Sequence, residues 1–172
     1  MGKQLILFRH GKSDWEAPSG LDQERPLAPR GIKAAQSMGK LLTALACLPD
    51  HALTSPAVRA RTTLALARTA GNWPCTVEEV AGLYEAHPQQ VLEVIQGQSD
   101  RHQRILLVGH QPTWSHTTSL LIGGGQVQVP TATMVCLDLQ VHHWSQVQPG
   151  QAILLWLLPP KLLSPLLDQL NR

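Results

Sequence analysis

The sequence predicts an α/β fold in three layers, with helices on both faces of a mostly parallel sheet. Short apolar segments of about four residues recur along the chain and are typical of strands buried on both faces. Segments with apolar residues at helical spacing alternate with them. Two of the strands end directly in histidine and glycine, which would lie at the sheet edge where open α/β proteins bind ligands.

The first part of the chain predicts a strand, a loop and a helix. Leu5 to Phe8 is the first strand, and the polar, proline-containing segment 12–28 is a long connection of the kind that is usually functional. Pro29 suits the first position of a helix. The apolar stripe of that helix is formed by Ile32, Ala35, Met38, Gly39, Leu42 and Leu45.

The middle of the chain predicts a second unit of strand and helix. Residues 52–54 form a short strand, Ser55 caps the next helix, Pro56 is its first residue, and the helix ends near Gly71. The segment 75–80, "CTVEEV", is a candidate edge strand. A helix over 88–96 follows, with its apolar residues on one face.

The remaining elements complete the sheet. Residues 105–108 predict another short buried strand, and the helix that begins near residue 116 stops at three consecutive turn glycines, 123–125. Strands over 132–139 and 152–158 close the sheet, and 161–170 is an amphipathic terminal segment. The length of 172 residues predicts one domain from residue 1 to residue 172.

Composition excludes several classes of protein. The net charge is +2 and neither sign forms a long run, so nothing indicates binding to nucleic acid or to a membrane surface. No apolar stretch approaches the ~20 residues of a membrane span. The three cysteines, Cys47, Cys75 and Cys136, lack metal or redox spacing. These observations predict a cytoplasmic protein with neither a metal site nor a cofactor.

The residues at the strand ends predict an anion site. Arg9, His10 and Gly11 follow the first strand, and Gly109 with His110 ends another. If the two strands are neighbours, both histidines face one crevice. Either histidine alone would be an ordinary loop residue, and only the matched contexts favour a functional role.

A second arginine is predicted near the same crevice. Arg59 lies about one turn into the helix that follows residues 52–54, close to the positive end of that helix. Arg61 lies about 200° further round and should face solvent. From the residues alone, Arg59 fits a surface cation of the helix equally well. Together with Arg9 it would form a pocket of forked guanidinium donors that suits a tetrahedral dianion.

An ordered set of motifs resembles a known family. The segments "FRHGKSDW", "RPLAPRG", "SPAVRA", "LYEAHP" and "LLVGHQPTW" occur in the order and spacing of the histidine phosphatase superfamily, and the chain is most similar to its SixA-type phosphohistidine phosphatases. The resemblance extends over nearly the whole chain. It implies the phosphoglycerate mutase-like fold.

The resemblance also implies roles for individual residues. His10 would be the nucleophile that forms a phosphohistidine intermediate, and Arg9, Arg59 and His110 would hold the phosphoryl oxygens. Glu85 in "GLYEAHP" is the candidate general acid, although as a residue it fits a solvated loop carboxylate better. The alternatives for that acid are carboxylates of the long loop, Asp14, Glu16 and Asp22. Gly11 would let the reacting phosphorus approach the backbone.

Departures from the wider family narrow the expected function. Glu16 stands where mutases of this family usually have asparagine, which argues against mutase activity. The chain has no room for long insertions over the site, so an open site and a protein substrate are expected. The predicted function is a metal-independent phosphatase acting on a phosphorylated protein of the histidine phosphotransfer type, as a monomer or weak dimer. A broad phosphatase for small phosphate esters and a non-catalytic phosphate- or phosphoprotein-binding module are the alternatives.

Two further observations concern residues outside this set. Trp15 and Trp114 each follow a strand-end histidine and fit either the mouth of the pocket or the core. His142 and His143 are adjacent, so on a strand they would point to opposite faces and would not share a metal ion.

Overall fold

A six-stranded sheet with helices on both faces forms the molecule, and the computed structural model describes residues 2–18, 20–163 and 165. The strands are β1 Gln4–Arg9, β2 His51–Thr54, β3 Thr76–Glu79, β4 Arg104–Gly109, β5 Met134–Asp138 and β6 Ile153–Leu158. The α-helices are α1 Pro29–Ala44, α2 Val58–Gly71, α3 Pro88–Gln96 and α4 Thr113–Ile122. Short 3-10 helices lie at Asp22–Glu24, Ala81–Leu83 and Trp144–Gln146.

The sheet has the strand order β3-β2-β4-β1-β5-β6. Its first four strands are parallel, whereas β5 runs antiparallel to β1 and β6 antiparallel to β5. The prediction of a mostly parallel α/β sheet is therefore confirmed. Because β1 and β4 are hydrogen-bonded neighbours, with Arg9 opposite Gly109, the two strands that end in histidine end side by side.

Alternating side chains of the strands supply two cores, one on each face of the sheet. Leu5 and Leu7 of β1 pack on the side of α3 and α4, while Ile6 and Phe8 pack on the side of α1 and α2. All four side chains are fully buried. This arrangement is the three-layer sandwich that the sequence predicts.

The two helices on one face approach each other closely. A Cβ atom on Gly39 of α1 would lie 2.1 Å from the carbonyl oxygen of Ala67 in α2, and one on Gly71 would lie 2.4 Å from the carbonyl oxygen of Gly39. Side chains at these positions would push the helices apart. The absence of side chains there lets α2 pack tightly against α1 while its first turn reaches the sheet edge with Arg59.

Three details of the sequence prediction are wrong. Helix α2 begins at Val58, with Ala57 as its N-cap, because the Ser55 hydroxyl accepts a hydrogen bond from the Ala57 N–H and turns toward His110 instead of capping the helix. Ile32 is 38% exposed and Leu45 is 43% exposed, so the buried stripe of α1 is narrower than predicted. His142 and His143 lie in a bend and not on a strand, and both are exposed.

Two further predictions concern the terminal segment and membrane-spanning helices. The amphipathic segment 161–170 lies largely outside the described residues. Within the described part of the chain, we find no helix with the length and apolar character needed to cross a bilayer.

Candidate active site

The two strand-end histidines meet at the carboxyl edge of the sheet. The ring centroids of His10 and His110 are 5.2 Å apart and the rings are tilted by 55°. Backbone bonds hold this pair in place, because the His10 N–H donates to the carbonyl oxygen of Gly109 at 3.1 Å and the His10 carbonyl accepts from Ala132 at 3.0 Å. Both side chains are more than nine-tenths buried. The crevice predicted from the strand ends is therefore present.

The hydrogen bond of His10 determines which ring nitrogen is free. Nδ1 lies 2.6 Å from the carbonyl oxygen of Gly11. A carbonyl oxygen only accepts, so Nδ1 carries the proton of the neutral ring and Nε2 carries the lone pair. Burial, together with the charges of Arg59 and Arg9, lowers the pKa of His10 to about 4 against the opposing effect of the Gly11 carbonyl. At neutral pH the ring is consequently an unprotonated nucleophile.

The neighbouring His110 is held by the start of the segment that leads into α2. Its Nε2 lies 2.8 Å from the Ser55 hydroxyl oxygen, which also accepts from the Ala57 N–H. In the tautomer in which the Ser55 hydroxyl donates its proton to Nε2, the ring proton of His110 lies on Nδ1. Burial, followed by the charges of His10 and Arg59, lowers the pKa of His110 to about 3. His110 is therefore a neutral hydrogen-bond donor.

The buried guanidinium group of Arg59 is held by one residue of the long loop. Arg59 donates from Nη1 to the backbone oxygen of Asp22 at 2.7 Å and from Nη2 to its carboxylate at 2.9 Å. The same carboxylate accepts from the Tyr84 hydroxyl at 3.0 Å and from Arg25. Asp22 thereby fixes the position of Arg59 through its Nη atoms and leaves Nε unused.

Four buried nitrogens of this cluster have no hydrogen-bond partner among the described residues. They are Nε of Arg9, Nε of Arg25, Nε of Arg59 and Nδ1 of His110. An unpaired buried donor costs about 1–3 kcal/mol, and most native structures avoid it. Arg9 uses Nη1 for the carbonyl oxygen of Val129 at 2.9 Å, so it also keeps Nε free. Of these, the unpaired nitrogens of Arg9, Arg59 and His110 belong to the neighbours of His10 and form a cradle for a group with several acceptor oxygens.

A cavity of about 340 Å³ opens beside this cradle. Its walls include Asp22, Arg59, Tyr84, Glu85, His110 and His116. Among the described residues, no group of three or more histidine, cysteine or acidic side chains is arranged to hold a metal ion. The positive charge at the cradle comes from guanidinium groups, whose paired donors match phosphoryl oxygens.

Comparison with protein families agrees with this geometry. The model of the histidine phosphatase superfamily (branch 1) matches residues 5–90, which include Arg9, His10, Arg59 and Glu85. The chain belongs to the histidine phosphatase superfamily. An uncharacterized protein of Mycobacterium tuberculosis is 38% identical over 165 residues, which cover 90% of this chain and 100% of that protein.

Solved structures of SixA proteins are similar to this chain. A candidate phosphohistidine phosphatase SixA of Agrobacterium tumefaciens is 27% identical and superposes with a TM-score of 0.77 over 93% of this chain and 99% of that one. The protein histidine phosphatase SixA complexed with tungstate shares the fold at 23% identity, with a TM-score of 0.80 over 93% and 99% of the two chains. The family membership supports phosphatase activity.

The candidate general acid lies at the cavity wall. Glu85 is exposed, has a positive φ of 52° and lines the cavity with Arg59 and His110. A left-handed backbone is uncommon for a residue with a side chain and is found disproportionately at functional sites. Its position lets it reach a leaving group in the cavity.

Two of the three alternative acids are absent from this cavity. Asp14 accepts from the backbone N–H of Glu16 within the loop, and neither residue lines the cavity. Asp22 does line it, and burial opposes its ionisation, but the hydrogen bonds from Tyr84 and Arg59 outweigh this effect and lower its pKa. An ionised carboxylate that already binds Arg59 is unsuited to donate a proton. Its role in the histidine phosphatase site is to position Arg59.

Gly11 and the two tryptophans differ in their surroundings. A Cβ atom on Gly11 would lie 2.7 Å from the carbonyl oxygen of Gly31, and the Gly11 N–H donates to Thr63 at 3.0 Å. The close packing of the loop on α1 therefore already requires glycine there. Trp114 is fully buried in the core, while Trp15 is 71% exposed, with the Arg25 guanidinium 3.4 Å above its ring. Neither tryptophan lines the cavity.

Three residues of the site were not predicted as site residues from the sequence. Tyr84 lies with its ring 5.7 Å from that of His110 and binds Asp22, Arg25 binds the same carboxylate, and Ser55 binds His110. The motifs "RPLAPRG", "LYEAHP" and "SPAVRA" contain these three residues. The motifs therefore carried a signal for them, but only the folded chain shows what their side chains bind.

Both buried histidines are expected to stay neutral well below pH 6.5. Their ring nitrogens, followed by NMR and assigned through His10→Asn and His110→Asn, should titrate near pH 4 and pH 3 instead of near the ordinary 6.5. Between pH 6.5 and pH 4 the histidines of the unfolded chain become protonated, while the same rings in the folded chain stay neutral. The free energy of unfolding should therefore fall as the pH drops from 6.5 toward 4. A titration midpoint of His10 near 6.5 would contradict the proposed desolvation.

Proposed function

We propose that the chain is a metal-independent protein phosphohistidine phosphatase that acts through a phosphohistidine intermediate on His10. The observation that carries this proposal is the set of unpaired buried donors, Arg9 Nε, Arg59 Nε and His110 Nδ1, around a ring whose Nε2 is unprotonated. Phosphoryl transfer depends mainly on positioning and on stabilisation of charge at the equatorial oxygens. This constellation supplies both.

The proposed reaction has two steps. In the first, Nε2 of His10 attacks phosphorus while Arg9, Arg59 and His110 donate to the phosphoryl oxygens. The bond from phosphorus to the substrate ring breaks, and because the other nitrogen of that ring carries a proton from solvent, the ring leaves as neutral imidazole. In the second, water attacks the phosphorylated His10 and releases inorganic phosphate. The Gly11 carbonyl holds Nδ1 through both steps, because its hydrogen bond stabilises the ring as positive charge develops on it.

The nature of the leaving group favours phosphohistidine over an ester. An imidazole leaves with much less help from an acid than an alkoxide does. The candidate acid, Glu85, is exposed at the cavity wall and not buried in the cradle. A site with three strong donors for oxygens and an exposed acid suits a phosphoryl group bonded to nitrogen.

Phosphate release from two substrates tests this proposal. A histidine-phosphorylated phosphotransfer protein and an aryl phosphate are compared in the presence of EDTA. We expect fast release from the phosphoprotein, because the two arginines supply the positive charge of the site. Preference for the aryl phosphate would instead favour a broad phosphatase for small esters. Tight phosphate binding without release from either substrate would favour the binding module.

Replacing Glu85 should separate the two kinds of substrate. The substitution Glu85→Gln is expected to lower turnover of an alkyl phosphoester by about 10²-fold or more, because general acid catalysis typically contributes 10²–10⁴-fold. Turnover of phosphohistidine should change little. The exposed Glu93 on α3 provides a matched control as Glu93→Gln. An equal loss on both substrates would show that Glu85 does more than protonate an ester oxygen.

A further inference from the structure

A second and larger cavity lies at the same edge of the sheet. Its volume is about 780 Å³, and its walls come from the segments that follow β1, begin α1, precede β5 and follow β6. Its charged lining consists of five cations: Arg9, Lys12, Arg30, Lys33 and Lys161. The other lining residues are apolar or carry hydroxyl groups, and none of the described ones is acidic.

Positive charge is concentrated in this larger cavity. The whole chain has 14 Lys and Arg residues against 12 Asp and Glu residues, so its surface as a whole is nearly balanced. Five of those 14 cations nevertheless line one cavity. Lys33 and Lys161 already have partners within the chain, so the charge offered to a ligand comes mainly from Lys12 and Arg30. A concave surface lined by one sign of charge concentrates ligands of the opposite sign. The cavity is therefore suited to an anionic ligand.

Helix α1 contributes cations where they are unfavourable for its own stability. Arg30 lies in its first turn, which has no acidic residue, and the N-cap Ala28 makes no side-chain hydrogen bond. A cation at the positive end of a helix is disfavoured by about 0.3–1 kcal/mol. Arg30 and the helix end thus add to the same positive potential, which an anion in the cavity would relieve.

Arg9 connects this cavity with the candidate active site. It lines the larger cavity and directly precedes His10, whose ring contacts that of His110 at the smaller cavity. A phosphoryl group on His10 would therefore lie next to a residue that lines the larger cavity. The volume is in the range of 300–1,000 Å³ that holds a ligand of drug size, which is more than a lone phosphoryl group needs.

We infer that this basic cavity binds an acidic segment next to the phosphorylated histidine of the protein substrate. The inference rests on the proposed function and adds the sequence context that the enzyme would recognise. Carboxylates of the segment would pair with Lys12 and Arg30, while the proline and leucine walls contact its apolar atoms. Aryl phosphates lack such a segment and would gain nothing from the cavity.

Peptide binding tests the inference without relying on turnover. An unphosphorylated, fluorescently labelled peptide with glutamates beside its histidine is compared by anisotropy with a peptide in which glutamine replaces each glutamate. We expect the acidic peptide to bind the wild-type protein about tenfold more tightly at low salt, and the difference to shrink as salt rises. Equal binding of the two peptides would overturn the inference. So would equally tight binding of an oligonucleotide of the same charge.

Two variants with the same change in net charge locate the binding surface. Arg30→Glu should weaken binding of the acidic peptide about 5- to 10-fold. Arg101→Glu, an exposed position just before the opposite end of β4, should leave it unchanged. Equal losses in both variants would overturn the assignment of this cavity.

Turnover then separates this inference from the proposed function. Arg30→Glu should lower kcat/KM for a phosphohistidine peptide with acidic flanks more than for the same peptide with glutamine in place of each flanking acid. If the wild-type protein hydrolyses phosphohistidine but ignores the flanking charge, only the inference about the cavity fails. If it binds the acidic peptide through Arg30 but hydrolyses nothing, the proposed catalytic function fails instead.

Discussion

Replacement of His10 by alanine is expected to abolish phosphate release from every substrate, by at least about 10⁴-fold. The reason is that Nε2 of His10 is the proposed nucleophile, and the other side chains of the cradle are donors that cannot replace it. Release is measured with a histidine-phosphorylated protein and with an aryl phosphate. The fold should survive, because the lost side chain makes its hydrogen bond only to the adjacent Gly11.

An exposed histidine of the smaller cavity provides the control for this variant. His116 is exposed on α4 and lines the same cavity, so His116→Ala should retain turnover. Undiminished release by His10→Ala would contradict the proposed mechanism. Comparable losses in both variants would show that histidines of the cavity contribute in a way that the mechanism does not include.

The second large effect is expected at Arg59. Substitution by alanine should lower kcat/KM by about 10³-fold, because removal of one preorganised donor to developing charge typically costs 10²–10³-fold and the guanidinium also carries the charge. Arg59→Lys should restore little, since the single nitrogen of an ammonium group lacks the planar fork with which the guanidinium binds Asp22 through two nitrogens and offers a third to the phosphoryl group. The separate values of kcat and KM are measured for both variants.

The neighbouring Arg61 makes this prediction specific. It lies two residues further along α2, faces solvent as the sequence predicts, and pairs with Glu79 at 3.4 Å. Arg61→Ala should therefore leave kcat/KM within about twofold, because exposed ion pairs contribute little. A similar loss in Arg59→Ala and Arg61→Ala would mean that general positive charge, and not the buried donor, matters for turnover.

The sheet and the convergence of the histidines were accessible from local patterns. A buried parallel strand has an unbroken apolar sequence, as in Leu5 to Phe8, and its end is marked by the first polar residues. The ends of parallel strands share one edge, so Arg9, His10 and His110 could be placed at one crevice before any coordinates. Arg59 needed the family resemblance, because a helical arginine has the same local pattern whether it is buried or exposed.

The role of Asp22 was not accessible in this way. It lies in a long irregular loop, and its partners Arg25, Arg59 and Tyr84 belong to three different segments. No periodicity connects such segments, since their contact depends on how the loop folds over the sheet edge. The sequence marked Asp22 only as a carboxylate, and it therefore appeared as a candidate acid instead of the residue that positions Arg59.

Helix α2 illustrates a competition that local patterns do not reveal. Ser55 followed by Pro56 is a common helix start. In the folded chain the Ser55 hydroxyl binds His110 at 2.8 Å, and the helix starts at Val58. A residue that suits a cap was used for the active site instead, and the helix begins later without a side-chain cap.

The most direct test of the proposed mechanism is to trap the phosphoenzyme. The wild-type protein is mixed with a histidine-phosphorylated protein, quenched in alkali within milliseconds, and its peptides are examined by mass spectrometry. Phosphate on His10 that is stable in alkali and labile in acid, and that is missing in His10→Ala, is the expected result. Rapid phosphate release from the wild type with no phosphate on His10 at any quench time would contradict the phosphohistidine intermediate.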